Sequence, residues 1–439
     1  MAQTSAIERT TGSWRRWFRN YRFWLAVALL IVILLVVWAY RAFQVGPLLF
    51  PPADVTANHN MSEAAGDWPS IRRSANGAGW SPGPAPMAPF TTLWEIETPG
   101  VMMASSAIVG DAVFITTEDG IAAALSTESG EILWSYDVEA PSDSAPAVAG
   151  DTVYLGSRNH RILALGQQDG QLRWERNLGN IVLGSAIVVD GTVYIGSTNG
   201  DLEALDAATG ETRWSVPTSG WVVGHPATDG SVVAVTSLGE RFITIDAETG
   251  RRRLVFFSGT PVVGGPIIAD GRAYFVTNRG GVWAMDTAAV SRPFSRFAYV
   301  AKFNFFYWRL LKTPPQQTGT AWVASAQGRV KYSPTYADGR LFVVNEDNKV
   351  TAFDDAGGDE LWETQLAEEV ITEPMAAGDV LILGTVDGAL IALNTSDGTE
   401  AWRHTLAGSW LSATPVVSGE TLYVPTADGR LLALRGQTR

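Results

Sequence analysis

Along most of this chain, short runs of apolar and β-branched residues are separated by polar turns that contain glycine. Residues 185–216 show the unit. An apolar run (185–189) meets Asp190-Gly191, TVYIGS (192–197) meets Asn199-Gly200, DLEALD (201–206) meets Thr209-Gly210, and ETRWSV (211–216) ends the phrase. Such short runs, rich in β-branched residues and bounded by turn residues, predict strands, and two-residue turns with Gly predict antiparallel hairpins. Each unit therefore reads as a four-stranded antiparallel sheet.

The unit recurs. Trp94, Trp134, Trp174 and Trp214 stand 40 apart, Leu254 fills the next slot, and Trp322, Trp362 and Trp402 resume the interval. The third-strand phrase occurs eight times, from residues 123–125 to residues 431–434. Four-stranded repeats at this period predict a β-propeller, here all-β with eight blades over residues 67–434. The eighth repeat lacks its Trp strand, while the strand around Trp94 lacks three strands before it. Pairing these two pieces would complete the last blade and leave no open sheet edge. Leu254 reads as a position where the Trp is dispensable. One interval is long: Asp286 to Trp322 is 36 residues, where Asp206 to Trp214 is 8. Trp322 still precedes Pro334 by 12, as Trp214 precedes Pro226, so an insertion (286–321) lies between the third and fourth strands of one blade.

The beginning of the chain has a different pattern. Residues 23–40 (FWLAVALLIVILLVVWAY) are uncharged and apolar, about the minimum length for a transmembrane helix, with interfacial aromatics at both ends. Arg9, Arg15, Arg16, Arg19 and Arg22 against Glu8 predict that residues 1–22 stay cytoplasmic. The rival, a cleaved signal peptide, would usually have a shorter apolar core and a small-residue cleavage site. Residues 41–66, with Pro47, Pro51 and Pro52, read as a linker. The expectation is a single-pass protein of the inner (cytoplasmic) membrane with its propeller on the periplasmic side. The net charge of −13 argues against a nucleic-acid partner. Zero cysteines exclude disulfides, Cys-based zinc sites, attached c-type haem and a lipidated cysteine.

The turn phrase ALDAATGETRW (204–214), repeated in part at residues 245–250, resembles the tryptophan-docking motif of the quinoprotein (PQQ-type) β-propellers. Asp67-Trp68-Pro69 with Arg72 and Asn76-Gly77 resembles the lead-in of exported PQQ-like repeat proteins. The resemblance covers residues 67–434 and implies that Trp94, Trp134, Trp174, Trp214, Trp322, Trp362 and Trp402 dock blade to blade. It implies two functional classes. Quinoprotein dehydrogenases hold PQQ and Ca²⁺ on the axis, and BamB-like assembly scaffolds keep the fold without a cofactor; fold alone does not choose.

Candidate chemistry is sparse. The loops between second and third strands are rich in Asp, Asn and Gly, which could ligate Ca²⁺ but which tight turns also demand. Trp221, Arg329, Lys331, Glu369 and Trp410 would stand beside them. His59, His160, His225 and His404 lack metal-ligand spacing, and His225 alone falls near an inner strand. No cysteine is available for the adjacent-Cys ring of many such dehydrogenases, and most loops are short. The expectation is a non-catalytic protein-binding scaffold in a membrane or envelope-assembly complex, without cofactor; the alternative is a PQQ- and Ca²⁺-dependent dehydrogenase of alcohols or sugars. The insertion carries five bases, no acid and eight aromatics between residues 287 and 321. Arg292, Arg296, Lys302, Phe303, Phe305, Phe306, Tyr307, Trp308, Arg309 and Lys312 are thus the candidate docking residues, for a protein partner or a membrane surface. Packing back on its own blade is the bland alternative.

Overall fold

A computed structural model describes Leu25, residues 27–34, 67–292 and 294–437. The chain divides into two compact units, Met1–Pro52 with Val290–Gln317, and Ala53–Ala289 with Thr318–Arg439.

The second unit is the eight-bladed propeller. Each of its eight sheets has a four-stranded antiparallel core. The third repeat is typical: Ile187–Val189, Thr192–Gly196, Asp201–Asp206 and Thr212–Pro217 pair in sequence order. Its second strand is buried throughout and its third is buried at Leu202, Ala204 and Leu205, so blades pack face to face through their middle strands. Blades are numbered here from the first complete repeat, which begins at Ala107–Val109. Blade 8 closes as the repeat count requires. Met87–Glu97, which carries Trp94, pairs antiparallel with Arg430–Gln437, uniting the two ends of the repeat array in one sheet.

Seven tryptophans occupy the equivalent position in the outer strands. Six donate the indole N–H to a carbonyl 33 residues onward in the next blade's third turn, as Trp174 Nε1 does to Ala207 O at 2.9 Å and Trp362 Nε1 to Thr395 O at 2.9 Å. The ring lies on the glycine of that turn. A Cβ on Gly210 (φ +72) would come within 2.7 Å of the Trp174 ring, so glycine serves both the left-handed backbone and the close approach.

The two departures from this rule share one cause, the state of the next blade's turn. Leu254 faces the turn that the insertion opens, where it packs against Gly319 and Ala289. The sequence reading of a simply dispensable Trp is corrected accordingly: its docking turn has been remodelled. A cluster of Phe242, Phe256, Phe275 and Trp283 fills the space, with Phe242 and Phe275 stacked at 4.7 Å. Trp402 faces blade 8, whose third and fourth strands come from opposite ends of the array, so no turn carbonyl is there. Its indole N–H is buried without an acceptor, and Phe90 packs edge-on at 4.9 Å.

In the first unit, Leu25 and residues 27–34 are helical and largely exposed. The rest of the expected membrane span (23, 24, 26 and 35–40), the cytoplasmic segment 1–22 and the linker 41–66 lie outside the described residues. Among the described residues no helix is long and apolar enough to cross a membrane. The insertion forms helix α1, Ser295–Tyr307, none of whose residues is buried.

Candidate functional site

The axis of the propeller is lined by the inner strands, and an inner strand has one edge of backbone groups without a sheet neighbour. The lead-in segment satisfies much of that edge. Trp68 exchanges two bonds with Ile108 of blade 1, and Pro69 O accepts from Val148 of blade 2. Ala75 O then accepts from Thr228, Asn76 O from Ile268, Ala78 O from Tyr336 and Gly79 O from Ala376, in blades 4 to 7. The segment ends as Trp80–Ser81, a fifth strand parallel to Met375–Ala377. Residues 67–81 thus run around the inside of six blades. Their small side chains fit the crowding: a Cβ on Gly77 would stand 2.6 Å from Pro266 O and 2.9 Å from His225 Cε1.

Arg72 leaves this arc and projects into a buried polar centre. Its guanidinium, almost wholly buried, donates to Pro374 O at 2.8 Å, Thr335 Oγ1 at 2.7 Å and Pro334 O, and pairs with Glu373 Oε2 at 3.4 Å. Glu373 also accepts from Ser333, at 2.7 Å from Oγ and 3.2 Å from N. These residues belong to one ring. The position before each inner strand's first core residues holds Ser105, Ala145, Ser185, His225, Gly265, Ser333, Glu373 and Thr414. Bonds run from blade to blade along it, Ala145 N to Ser185 Oγ, Gly265 N to Ser333 Oγ, and Glu373 N to Thr414 Oγ1.

The ring's charges shape each other. Burial pushes the Glu373 carboxyl up, but Arg72, His225 and the Ser333 bonds outweigh it and hold the group below its ordinary range. Burial, aided by Arg72 and opposed by Glu373, holds His225 down, so the imidazole is neutral at pH 7. Its Nδ1 lies 3.1 Å from Pro226 O, and its Nε2 is buried with no partner.

A second ring stands at the loops that enter the inner strands. In every blade the carbonyl of one such residue accepts from the amide of the turn between second and third strands, as Trp221 O does from Leu238 N and Trp410 O from Ala427 N. The eight residues are Val101, Pro141, Ile181, Trp221, Pro261, Arg329, Glu369 and Trp410, so six are apolar. Trp221 and Trp410 are more than half exposed. Lys331 lies 3.7 Å from Glu369, and Arg329 lies 3.9 Å from Glu346. Exposed pairs at these separations contribute little to stability.

The Asp and Asn residues of the neighbouring turns are largely used within them. Asn199 Oδ1 bonds Ser197 Oγ, Asp387 Oδ1 bonds Thr385 Oγ1, and Asp428 Oδ1 bonds Thr426 Oγ1. Arg430, with Thr426, holds the Asp428 carboxyl down at about 2. His160 is exposed in such a turn with φ 72. His404 lies away from the axis beside Phe90, its ring centroid 5.2 Å from the phenyl ring; burial lowers its pKa. His59 lies outside the described residues.

Among the described residues no group of three or more His, Asp or Glu is placed to hold a metal. Glu373 is the only carboxylate of the axial ring, and Arg72 and Ser333 already occupy it. Ca²⁺ requires six to eight oxygen ligands, so this axial donor set does not fit PQQ with Ca²⁺.

Sequence reasoning missed the axial ring, although its signal was present: the prolines that register the insertion, Pro226, Pro334 and Pro374, each follow a ring residue. The insertion's candidates form one continuous stretch. Phe303, Phe305, Tyr307 and Trp308 are exposed by 45 to 76%, while Phe306 is half-covered.

A family profile described as outer membrane protein assembly factor BamB matches residues 91–220, 158–257, 200–319 and 307–438. BamB of Nitrosomonas eutropha is 29% identical over 107 residues, 24% of this chain and 24% of that protein. A putative dehydrogenase XoxF of Paracoccus denitrificans is 28% identical over 129 residues, 27% of this chain and 22% of that protein. These matches span about a quarter of the curated relatives' length. The crystal structure of BamB from Moraxella catarrhalis superposes with a TM-score of 0.63 at 21% identity, covering 80% of this chain and 99% of that one. That likeness is one of fold.

Proposed function

Because the chain belongs to the family of the outer membrane protein assembly factor BamB, we propose that it is a non-catalytic scaffold, tethered to the inner membrane by its amino-terminal apolar run and binding protein on the periplasmic side. The observation that carries this reading is the occupied axis. Where a quinoprotein would need ligands for its cofactor, Arg72 of the chain's own lead-in is already bonded to Glu373 and two carbonyls. Surface available for recognition lies instead at the apolar loop ring. Trp221 and Trp410 have the size and exposure typical of interface anchors. Leu25 and residues 27–34, helical and apolar, support the tether.

Two measurements test this reading together. Pull-down from native membranes should recover a stoichiometric protein partner with the natural chain and lose it with Trp221→Ser/Trp410→Ser. Adding PQQ with Ca²⁺ should leave the melting temperature unchanged and give no dye-linked oxidation of alcohols or sugars. Substrate-dependent dye reduction would replace the scaffold with the dehydrogenase, which the similarity to XoxF keeps in view.

A further inference from the structure

We infer that the insertion is a second membrane-contacting element, which lays helix α1 on an anionic lipid surface. This rests on the tethered reading above and adds to it the contact that orients the protein. The sequence alone left the insertion between a protein surface, a lipid surface and its own blade.

Three observations favour lipid. First, none of the thirteen residues of α1 is buried, and Phe297, Val300, Phe303, Phe305 and Tyr307 are each exposed by 45% or more. Exposed aromatics on several sides of one helix suit immersion in an interfacial layer better than a groove, which would cover one stripe. Second, the insertion holds five bases and no acid in a chain of net charge −13. Cations interleaved with aromatics match anionic headgroups, with long basic side chains reaching the phosphates from apolar surroundings. Third, the insertion shares one compact unit with the stretch that contains Leu25 and residues 27–34. Among the described residues, the apolar exposed helical stretch and the basic-aromatic helix thus fall in the same body. At about 1.5 Å per residue α1 is roughly 20 Å long, too short to cross a hydrocarbon core of about 30 Å, so it lies along the surface.

The chain's lack of cysteine makes the test direct. Single-cysteine variants Tyr307→Cys and Leu310→Cys, with Ser396→Cys on an exposed propeller turn as control, are spin-labelled in the full chain. They are then reconstituted in vesicles containing phosphatidylglycerol. Labels at residues 307 and 310 should collide with oxygen in preference to a water-soluble nickel chelate severalfold more than the label at 396. Replacing Arg296, Lys302, Arg309 and Lys312 together by Gln should shrink that preference, with the circular dichroism of the propeller unchanged. Labels at 307 and 310 that behave like the one at 396 overturn the proposal. Protection of those labels in native membranes but not in protein-free vesicles also overturns it, in favour of a protein partner. An alkaline carbonate wash separates this result from the tether. Protein retained after the wash with labels in water defeats only the insertion, while lipid-facing labels on protein that washes off defeat only the tether.

Discussion

Two segments break the forty-residue repeat, and they meet opposite ends. The lead-in, residues 67–81, and the insertion, residues 290–317, are both short and carry more basic than acidic residues. The lead-in buries Trp68 and Arg72, and its carbonyls accept hydrogen bonds from the inner strands of six blades. The insertion buries no residue of its helix. What separates them is their companions. Small residues at 75, 77, 78 and 79 let the lead-in approach inner strands that need hydrogen-bond acceptors, and Glu373 awaits its arginine. The insertion places bulky rings one after another and carries no acid to pair with its bases.

That contrast can be broken at the axis first. Arg72→Ala removes a buried guanidinium, its pairing with the partly exposed Glu373 and two carbonyl bonds, and is expected to cost about 3 kcal/mol in urea denaturation. Adding Glu373→Gln should recover part of that loss. If Arg72→Ala unfolds at the natural midpoint, the axial centre is not structural.

The docking turns give the next effect. Gly210→Ala combines φ +72 with a Cβ driven into the Trp174 ring, whereas Gly259→Ala (φ +71) meets nothing within 4 Å. The first is expected to cost about 2–3 kcal/mol and the second about 1 kcal/mol. Equal losses would mean that the backbone conformation alone demands glycine. Trp362→Phe deprives Thr395 O of its donor, whereas Trp402 has no acceptor to abandon. Trp362→Phe should therefore be worse than Trp402→Phe by about 1 kcal/mol.

Acid should weaken the axis. His225 has its folded pKa below the unfolded value of about 6.5, so the unfolded chain takes up that proton first. Its contribution is complete above about pH 6.5 and is lost as pH falls below that value. Glu373, also depressed, adds a further loss below its ordinary carboxylate range of about pH 4–4.5. Melting temperature measured from pH 7.5 to 5 should fall for the natural chain and fall less for His225→Gln. The smallest effect belongs to the other segment. Removing residues 292–312 should change propeller stability by no more than about 0.5 kcal/mol, as expected for a segment whose helix buries none of its residues.

The ring was legible in the sequence because its signals are spaced. Trp intervals counted blades, and the displaced Trp322 located the insertion. The unpaired strand at Trp94 foretold closure. What stayed hidden depends on which distant residues meet. Residues 67–77 matched a lead-in phrase, but nothing in their order shows Arg72 reaching Glu373 some three hundred positions away. Leu254 read as a tolerated exception and Trp402 as one more docking Trp until the turn each one faces was known. The loop Asp and Asn residues could have been ligands or turn formers, and only bonds such as Asn199 to Ser197 decide that.

Closure by Met87–Glu97 also sets an order of events. Blades 1 to 7 each draw their four antiparallel strands from nearby sequence and can form as their residues emerge. Blade 8 joins Thr91 to Arg435, so its sheet must wait for the last repeat to be made. The lead-in waits too, since its seats at Tyr336 and Ala376 are synthesised long after it. Contacts of such separation are slow to form and leave strand edges exposed meanwhile. The chain therefore finishes folding with two of the earliest propeller segments to be translated, and a nascent ring is held open until then.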